Sequence, residues 1–140
     1  MKNIFKLFIA FVAISTLTLT SCNKYEEGPG FTVRTAKARV SGDWKLTSFT
    51  VNGTAYSSGV TVTMTIDKDG SYTTTYTSTL GTTTETGTWT FNDDKTTISF
   101  TESTAGSTAD TFTIVELKSK EMKLKQIDGS LTYISTYTAQ

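Results

Sequence analysis

The sequence predicts an all-β fold: an eight-stranded antiparallel up-and-down barrel behind a short N-terminal helical turn. Three observations carry that expectation. From Gly42 onward apolar residues recur at every second position, the period of a strand with one buried face. Short clusters of Gly, Asn and Asp break this pattern at regular intervals, as turns of a meander do. Threonine supplies 32 of 140 residues, and a β-branched hydroxyl side chain suits a strand face that meets water.

Val33 to Val40 comes first. Ala36, Lys37, Ala38 and Arg39 favour one or two helical turns, which Ser41-Gly42 end. So short a helix is not stable alone and must pack on the barrel. Trp44 to Val51 is the first strand, stopped by Asn52-Gly53. Val60 to Ile66 alternates apolar residues with Thr and is the second. Asp67 to Gly70 turns the chain into Ser71 to Thr79, with Tyr72, Thr74 and Tyr76 on one face. Leu80-Gly81 leads to Thr83 to Phe91, where Gly87, Trp89 and Phe91 share a face. Asn92 to Lys95 turns into Thr96 to Thr101, with Ile98 and Phe100 inward. Asp110 to Leu117 carries Phe112 and Ile114. Glu121 to Ile127 aligns Met122, Leu124 and Gln126. Asp128-Gly129 is a hairpin signal. Leu131 to Thr138 ends the series, with Leu131, Tyr133 and Tyr137 on one face.

Eight such strands can close on themselves, which removes the exposed edges of an open sheet. One face is apolar and the other rich in Thr and Lys, so the barrel stands in water. A membrane-spanning barrel needs longer strands and an apolar outside. The strand count is also compatible with a β-sandwich.

The chain before the barrel reads as an address. Lys2 and Lys6 precede the apolar run Leu7 to Ala13, and small residues Thr20 and Ser21 follow. This is the layout of a secretory signal peptide, too short and too rich in Ser and Thr for a comfortable membrane span. Leu19-Thr20-Ser21-Cys22 resembles the bacterial lipobox. The resemblance implies cleavage before Cys22, a diacylglycerol on its sulfur, acylation of its new amino group with a fatty acid such as palmitate, and so a membrane partner held through lipid. Two or more acyl chains anchor stably where one does not. Residues 1–21 are then the signal peptide, 22–32 a tether containing Gly28-Pro29-Gly30, and 33–140 the barrel domain. Lys24, Glu26 and Glu27 resemble the signals that send some outer-membrane lipoproteins to the cell surface. An outer-membrane location follows from that resemblance, with the periplasmic and surface faces both open.

Gly42-Asp43-Trp44 resembles the Gly-x-Trp motif of the lipocalins, placed as there at the start of strand one. With Gly87-Thr-Trp-Thr-Phe91 and Thr96-Thr-Ile-Ser-Phe100, the stretch from residue 33 on is similar to the small lipocalin-like lipoproteins of gut-type Gram-negative bacteria. The resemblance implies that Gly42 and Trp44 close one end of the barrel. In the lipocalins an Arg near the last strand often covers that Trp. Here no Arg follows Arg39, which leaves Arg34 or Arg39 for the task.

Several chemistries are excluded by composition. The chain has no His, so a Ser-His-Asp or Cys-His arrangement cannot exist and the commonest metal ligand is missing. Its one Cys is Cys22, which forbids an internal disulfide. Asp67-x-Asp69-Gly70 lacks the Glu that would complete a calcium loop, since position 76 is Tyr; Asp93-Asp94 also reads as turn chemistry. Parity points Glu85 and Glu116 inward, but parity alone does not make a catalytic pair. Thirteen basic residues balance thirteen acidic ones, and removing Lys2 and Lys6 with the signal tips the remainder slightly acidic, which gives nucleic acid nothing to hold. The expectation is a binding protein without catalytic residues, metal or cofactor. Its candidate ligand-binding residues are Tyr72, Tyr76, Trp89, Phe91, Tyr133 and Tyr137, an apolar set with hydroxyl tips suited to a small hydrophobic or amphipathic ligand. The same inward residues equally describe a filled core. The alternative is therefore a solid module that displays its surface to an envelope protein partner.

Overall fold

A computed structural model of the protein describes residues 34–140, so the expected signal peptide, Cys22 and the expected tether lie outside the described residues. Helix α1 (Ala36–Val40) opens the described chain. Nine strands follow: β1 (Gly42–Val51), β2 (Thr54–Ala55), β3 (Thr61–Ile66), β4 (Ser71–Ser78), β5 (Gly81–Phe91), β6 (Thr97–Glu102), β7 (Asp110–Leu117), β8 (Glu121–Asp128) and β9 (Leu131–Ala139). Each pairs antiparallel with the next from β3 to β9, β1 pairs with β3, and β1 pairs with β9 to close the ring. The result is an eight-stranded antiparallel barrel, not a sandwich. The ninth strand, β2, is a two-residue flap on β1, made by a turn in which Asn52 and Gly53 both have positive φ, the signature of a tight hairpin. Asn52 then fixes the turn to β9: its backbone N–H donates to Thr132 O at 2.8 Å, and its Oδ1 accepts from Thr132 N at 2.8 Å.

The short helix forms because Thr35 caps it, accepting a hydrogen bond from Ala38 N at 3.1 Å. Ala36 and Val40 enter the core, and the buried Arg39 donates through Nη1 to Leu117 O at the end of β7. The helix thus plugs one end of the barrel. At this end lie Trp44, Ile66, Ile98, Leu117 and Met122, all with less than 2% of their surface exposed. Trp44 donates its indole N–H to Val40 O at 2.8 Å, so helix and first strand lock through the very Trp that opens β1.

Two β-bulges change which residues face inward. Between β1 and β9 the register slips at Leu46/Ser48, making Thr47 the extra residue. Phe49 thereby pairs with Ser135 and turns inward. Between β7 and β8 it slips at Ile114/Glu116. Leu117 takes the core position, and Glu116 sits on the other face, buried against Lys118 and with Lys123 at 3.9 Å. The inward placement expected for Glu116 from parity is corrected by that bulge.

The acidic turns act as turns. Asp69 accepts from Ser71 N at 2.9 Å and Ser71 Oγ at 2.7 Å, and these bonds hold its carboxyl below its usual range. Asp94 accepts from Thr96 N at 3.0 Å and Thr96 Oγ1 at 2.6 Å. Among the described residues no group of three or more His, Cys, Asp or Glu could hold a metal ion.

Candidate functional site

The barrel is filled at the helix end and hollow toward the other. A cavity of about 250 Å³ occupies the hollow half, and all eight barrel strands contribute to its wall. Its aromatic lining is Phe49, Tyr72, Tyr76, Phe100, Phe112 and Tyr137. One wall is an edge-to-face series: Tyr72 on Phe100 (ring centres 5.1 Å apart) and Phe100 on Phe112 (6.0 Å). Thr74 and Ser135 add hydroxyls, and Glu85 and Asp110 add carboxyls.

Gly87 sets the position of this wall. It pairs with Tyr72 on β4 and with Glu102 on β6, and a Cβ there would lie 2.7 Å from Tyr72 Cε1 and 2.1 Å from Thr101 O. The bare glycine lets the Tyr72 ring lie against β5 and lets β6 approach closely.

Three of the six predicted ligand residues come together in the cavity: Tyr72, Tyr76 and Tyr137. Tyr76 donates its hydroxyl to Glu85 Oε2 at 3.0 Å. Burial, then that hydrogen bond and the Glu85 charge, hold the Tyr76 hydroxyl far above the ordinary phenol range. Burial also raises the Tyr72 hydroxyl, with Glu85, Glu102 and Asp110 adding to it. Burial raises Tyr137 as well, where a hydrogen bond with Ser135 works the other way. These phenols stay neutral donors at any physiological pH. Tyr133 lies one step out, lining a mouth of about 560 Å³ with Phe49, Phe112, Gln126 and Asp128. Trp89 and Phe91 are not among the lining residues. Trp89 donates Nε1–H to Asp67 O at 2.8 Å and packs edge-on to Phe91 (5.2 Å), at the filled end beneath the β3–β4 turn.

Phe49 is the lining residue that alternation misses. It faces the inner cavity, the mouth and a third cleft of about 470 Å³ beside the β2 flap. Its ring stacks on Tyr133 (6.1 Å, 19°) and meets Tyr56 edge-on (6.2 Å, 78°). It stands where all three spaces meet. The large exposed apolar residues (Tyr56, Leu80, Ile127 and Leu131) lie in or beside the hairpins of this same open end.

The architecture is a closed antiparallel ring, plugged at one end by the helix and hollow at the other. No curated protein matches the chain. The family model described as Lipocalin-like domain matches residues 40–124, from the last helical residue to the middle of β8. The matched stretch holds the Gly42–Trp44 closure and most of the cavity wall, and the chain belongs to the lipocalin-like domain family.

Proposed function

We propose that this protein is a lipid-anchored envelope protein whose barrel holds one small hydrophobic or amphipathic molecule. The observation that carries the binding half is the cavity itself. An eight-stranded barrel is just wide enough either to be filled by side chains or to hold one small ligand. Here the filled half and the hollow half are distinct, and the hollow half collects the aromatic and hydroxyl groups. Tyr72, Tyr76 and Tyr137 contact the ligand; Tyr133 and Phe49 guard its way in. Trp89 and Phe91 support the wall from below, and Gly42 and Trp44 close the base.

The anchor is Cys22, lipidated after cleavage behind Ser21, and the membrane is the outer membrane. What supports the anchor is the Leu19-Thr20-Ser21-Cys22 motif behind a positive, apolar leader, and what supports the outer membrane is Lys24 with Glu26 and Glu27 just after it. The described chain enters the barrel through α1 at the plugged end, so attachment upstream of it leaves the mouth at the other end of the barrel.

Native mass spectrometry of the purified protein tests the binding half. A co-purifying small molecule supports it; a bare mass, together with no binding of any apolar probe, overturns it. Changing Cys22→Ala tests the anchor: the protein should leave the membrane fraction and lose the acyl mass, and a variant that still sediments with membranes refutes it. A second reading, display to an envelope protein partner, draws support from the exposed Tyr56, Leu80, Ile127 and Leu131 around the mouth. Replacing Leu80 and Ile127 by Ser would abolish such docking and leave small-molecule binding intact.

A further inference from the structure

The charge of the cavity narrows what it can hold. Two ionisable carboxyls line the inner space, Glu85 and Asp110, and the mouth repeats Asp110 and adds Asp128. Among the described residues no Lys or Arg lines either space. Glu85 is half-buried in a wall of Tyr and Phe rings, and its Oε2 is held by the Tyr76 hydroxyl at 3.0 Å. Among the described residues neither Glu85 nor Asp110 forms an ion pair. A carboxylate in such a place loses hydration, and a single phenol replaces only part of what water supplied. The remaining oxygen, Oε1, offers its lone pairs to whatever enters.

We propose that the ligand is a small organic cation: a protonated amine on an apolar body the size of one ring with a short arm. This rests on the reading of the cavity as a binding site. The ammonium meets Glu85 Oε1 while Tyr76 fixes the carboxylate from its other oxygen. Aromatic faces around it add cation–π attraction, which is strongest where water is excluded. The apolar body lies among Phe49, Phe100 and Phe112. Asp110 and Asp128 at the mouth give the path inward a negative potential, which draws cations and repels organic anions. The volume sets the size. At about 30 Å³ per water in the liquid, 250 Å³ holds the equivalent of roughly eight waters, enough for a ring and a two-carbon arm.

Three probes of matched shape test this on the full-length protein by titration calorimetry: phenethylamine, its neutral counterpart 2-phenylethanol, and anionic 3-phenylpropionate. Phenethylamine should bind at least about tenfold more tightly than the alcohol, the lower end of what a charge-assisted hydrogen bond contributes. The carboxylate should bind weakest. Glu85→Gln keeps an acceptor for Tyr76 and should remove most of the amine's advantage, lowering the alcohol's affinity far less than the amine's. Equal binding of amine and alcohol, or an advantage that survives Glu85→Gln, overturns the cation assignment and leaves the binding cavity standing. Failure of all three probes to bind overturns the assignment; if native mass spectrometry also shows a bare protein, the binding function falls with it.

Discussion

Replacing Gly87 by Ala is the sharpest test of how the cavity wall is held. The added Cβ would lie 2.1 Å from Thr101 O and 2.9 Å from Glu102 Cα, both backbone atoms of β6, and 2.7 Å from the Tyr72 ring. An ordinary carbon–oxygen contact is more than an ångström longer than the first of these. Adjacent strands sit about 4.8 Å apart, so β5 and β6 must part by roughly a quarter of their spacing at this point. The end of their ladder gives way first: the Gly87–Glu102 pair and the adjoining Ser103 N–H to Thr86 O bond at 2.8 Å. Two backbone hydrogen bonds at about 1 kcal/mol each, added to about 1–2 kcal/mol of overpacking strain, give about 3–4 kcal/mol. Ala loses less chain entropy than Gly on entering a strand, which returns about 0.5–1 kcal/mol. The net loss is about 3 kcal/mol, a fall in melting temperature of roughly 15 °C for a domain near 100 residues. Thermal and urea unfolding followed by circular dichroism measure it. The companion is the double variant Gly87→Ala with Tyr72→Ala. Removing the ring clears one of the three contacts and leaves both backbone clashes, so it should not restore stability. An unchanged melting point in the single variant, or rescue by the double, refutes the backbone-clash argument.

Three further predictions follow from named contacts. Trp44→Phe removes the donor to Val40 O and leaves a buried carbonyl unpaired, costing about 1–3 kcal/mol in urea unfolding with ligand affinity little changed. Phe49→Ala joins the inner cavity to the mouth and the flap cleft; stopped-flow mixing with an apolar fluorescent probe should show both association and release speeding up, and unchanged rates would remove Phe49 from the path. Tyr76 gives an alkaline prediction: its folded-state hydroxyl titrates above the unfolded value of 10.0, so the unfolded chain releases the proton first. Its stabilising contribution is intact below about pH 10 and declines as pH rises beyond it, and Tyr76→Phe should flatten the fall in urea-unfolding stability between pH 9 and pH 11.

Most of the barrel is legible in the sequence because one physical rule, alternation across a pleat, governs most of its residues. Val62, Met64, Tyr72, Tyr76, Phe100 and Leu124 all line the cavity as alternation places them. The departures come from two bulges. Counting by twos from Trp44 sends Phe49 outward, and counting from Ile114 sends Glu116 inward; one extra residue in each strand reverses both. A trace of each bulge is present locally. Leu46 and Phe49 are three apart, and so are Ile114 and Leu117, a spacing that a regular strand cannot bury on one face. The β2 flap was hidden for another reason: its two pairs depend on the Asn52-Gly53 turn and carry no hydrophobic pattern of their own. Trp89 and Phe91 point inward but lie too near the plugged end to reach the hollow part. Alternation fixes which face a side chain takes, while its height along the barrel depends on the stagger between strands.

That stagger also explains why the polar chemistry gathers at one end. The helix blocks the base, and its own anchoring groups, Arg39 on Leu117 O and the Trp44 indole on Val40 O, satisfy polar atoms that would otherwise be stranded there. With the base closed by the helix, large apolar side chains fill it to zero exposure at Val40, Ile98, Leu117 and Met122. Toward the mouth the inward positions carry Tyr72, Thr74, Tyr76, Glu85 and Ser135, groups that need partners and leave space between them. A sequence shaped only for stability would place aliphatic residues here, since filling a void and removing an unpaired carboxyl both stabilise. Glu85 gains one hydrogen bond from Tyr76 and no countercharge. Its position is costly for the empty barrel and favourable once a cation enters. Glu85→Leu, made together with Tyr76→Phe so that no phenol is stranded, therefore separates the two roles: the empty protein should become more stable in urea than Tyr76→Phe alone, while its affinity for phenethylamine falls. A loss of stability in that variant would make Glu85 a structural residue of the wall and return the choice of ligand to shape alone.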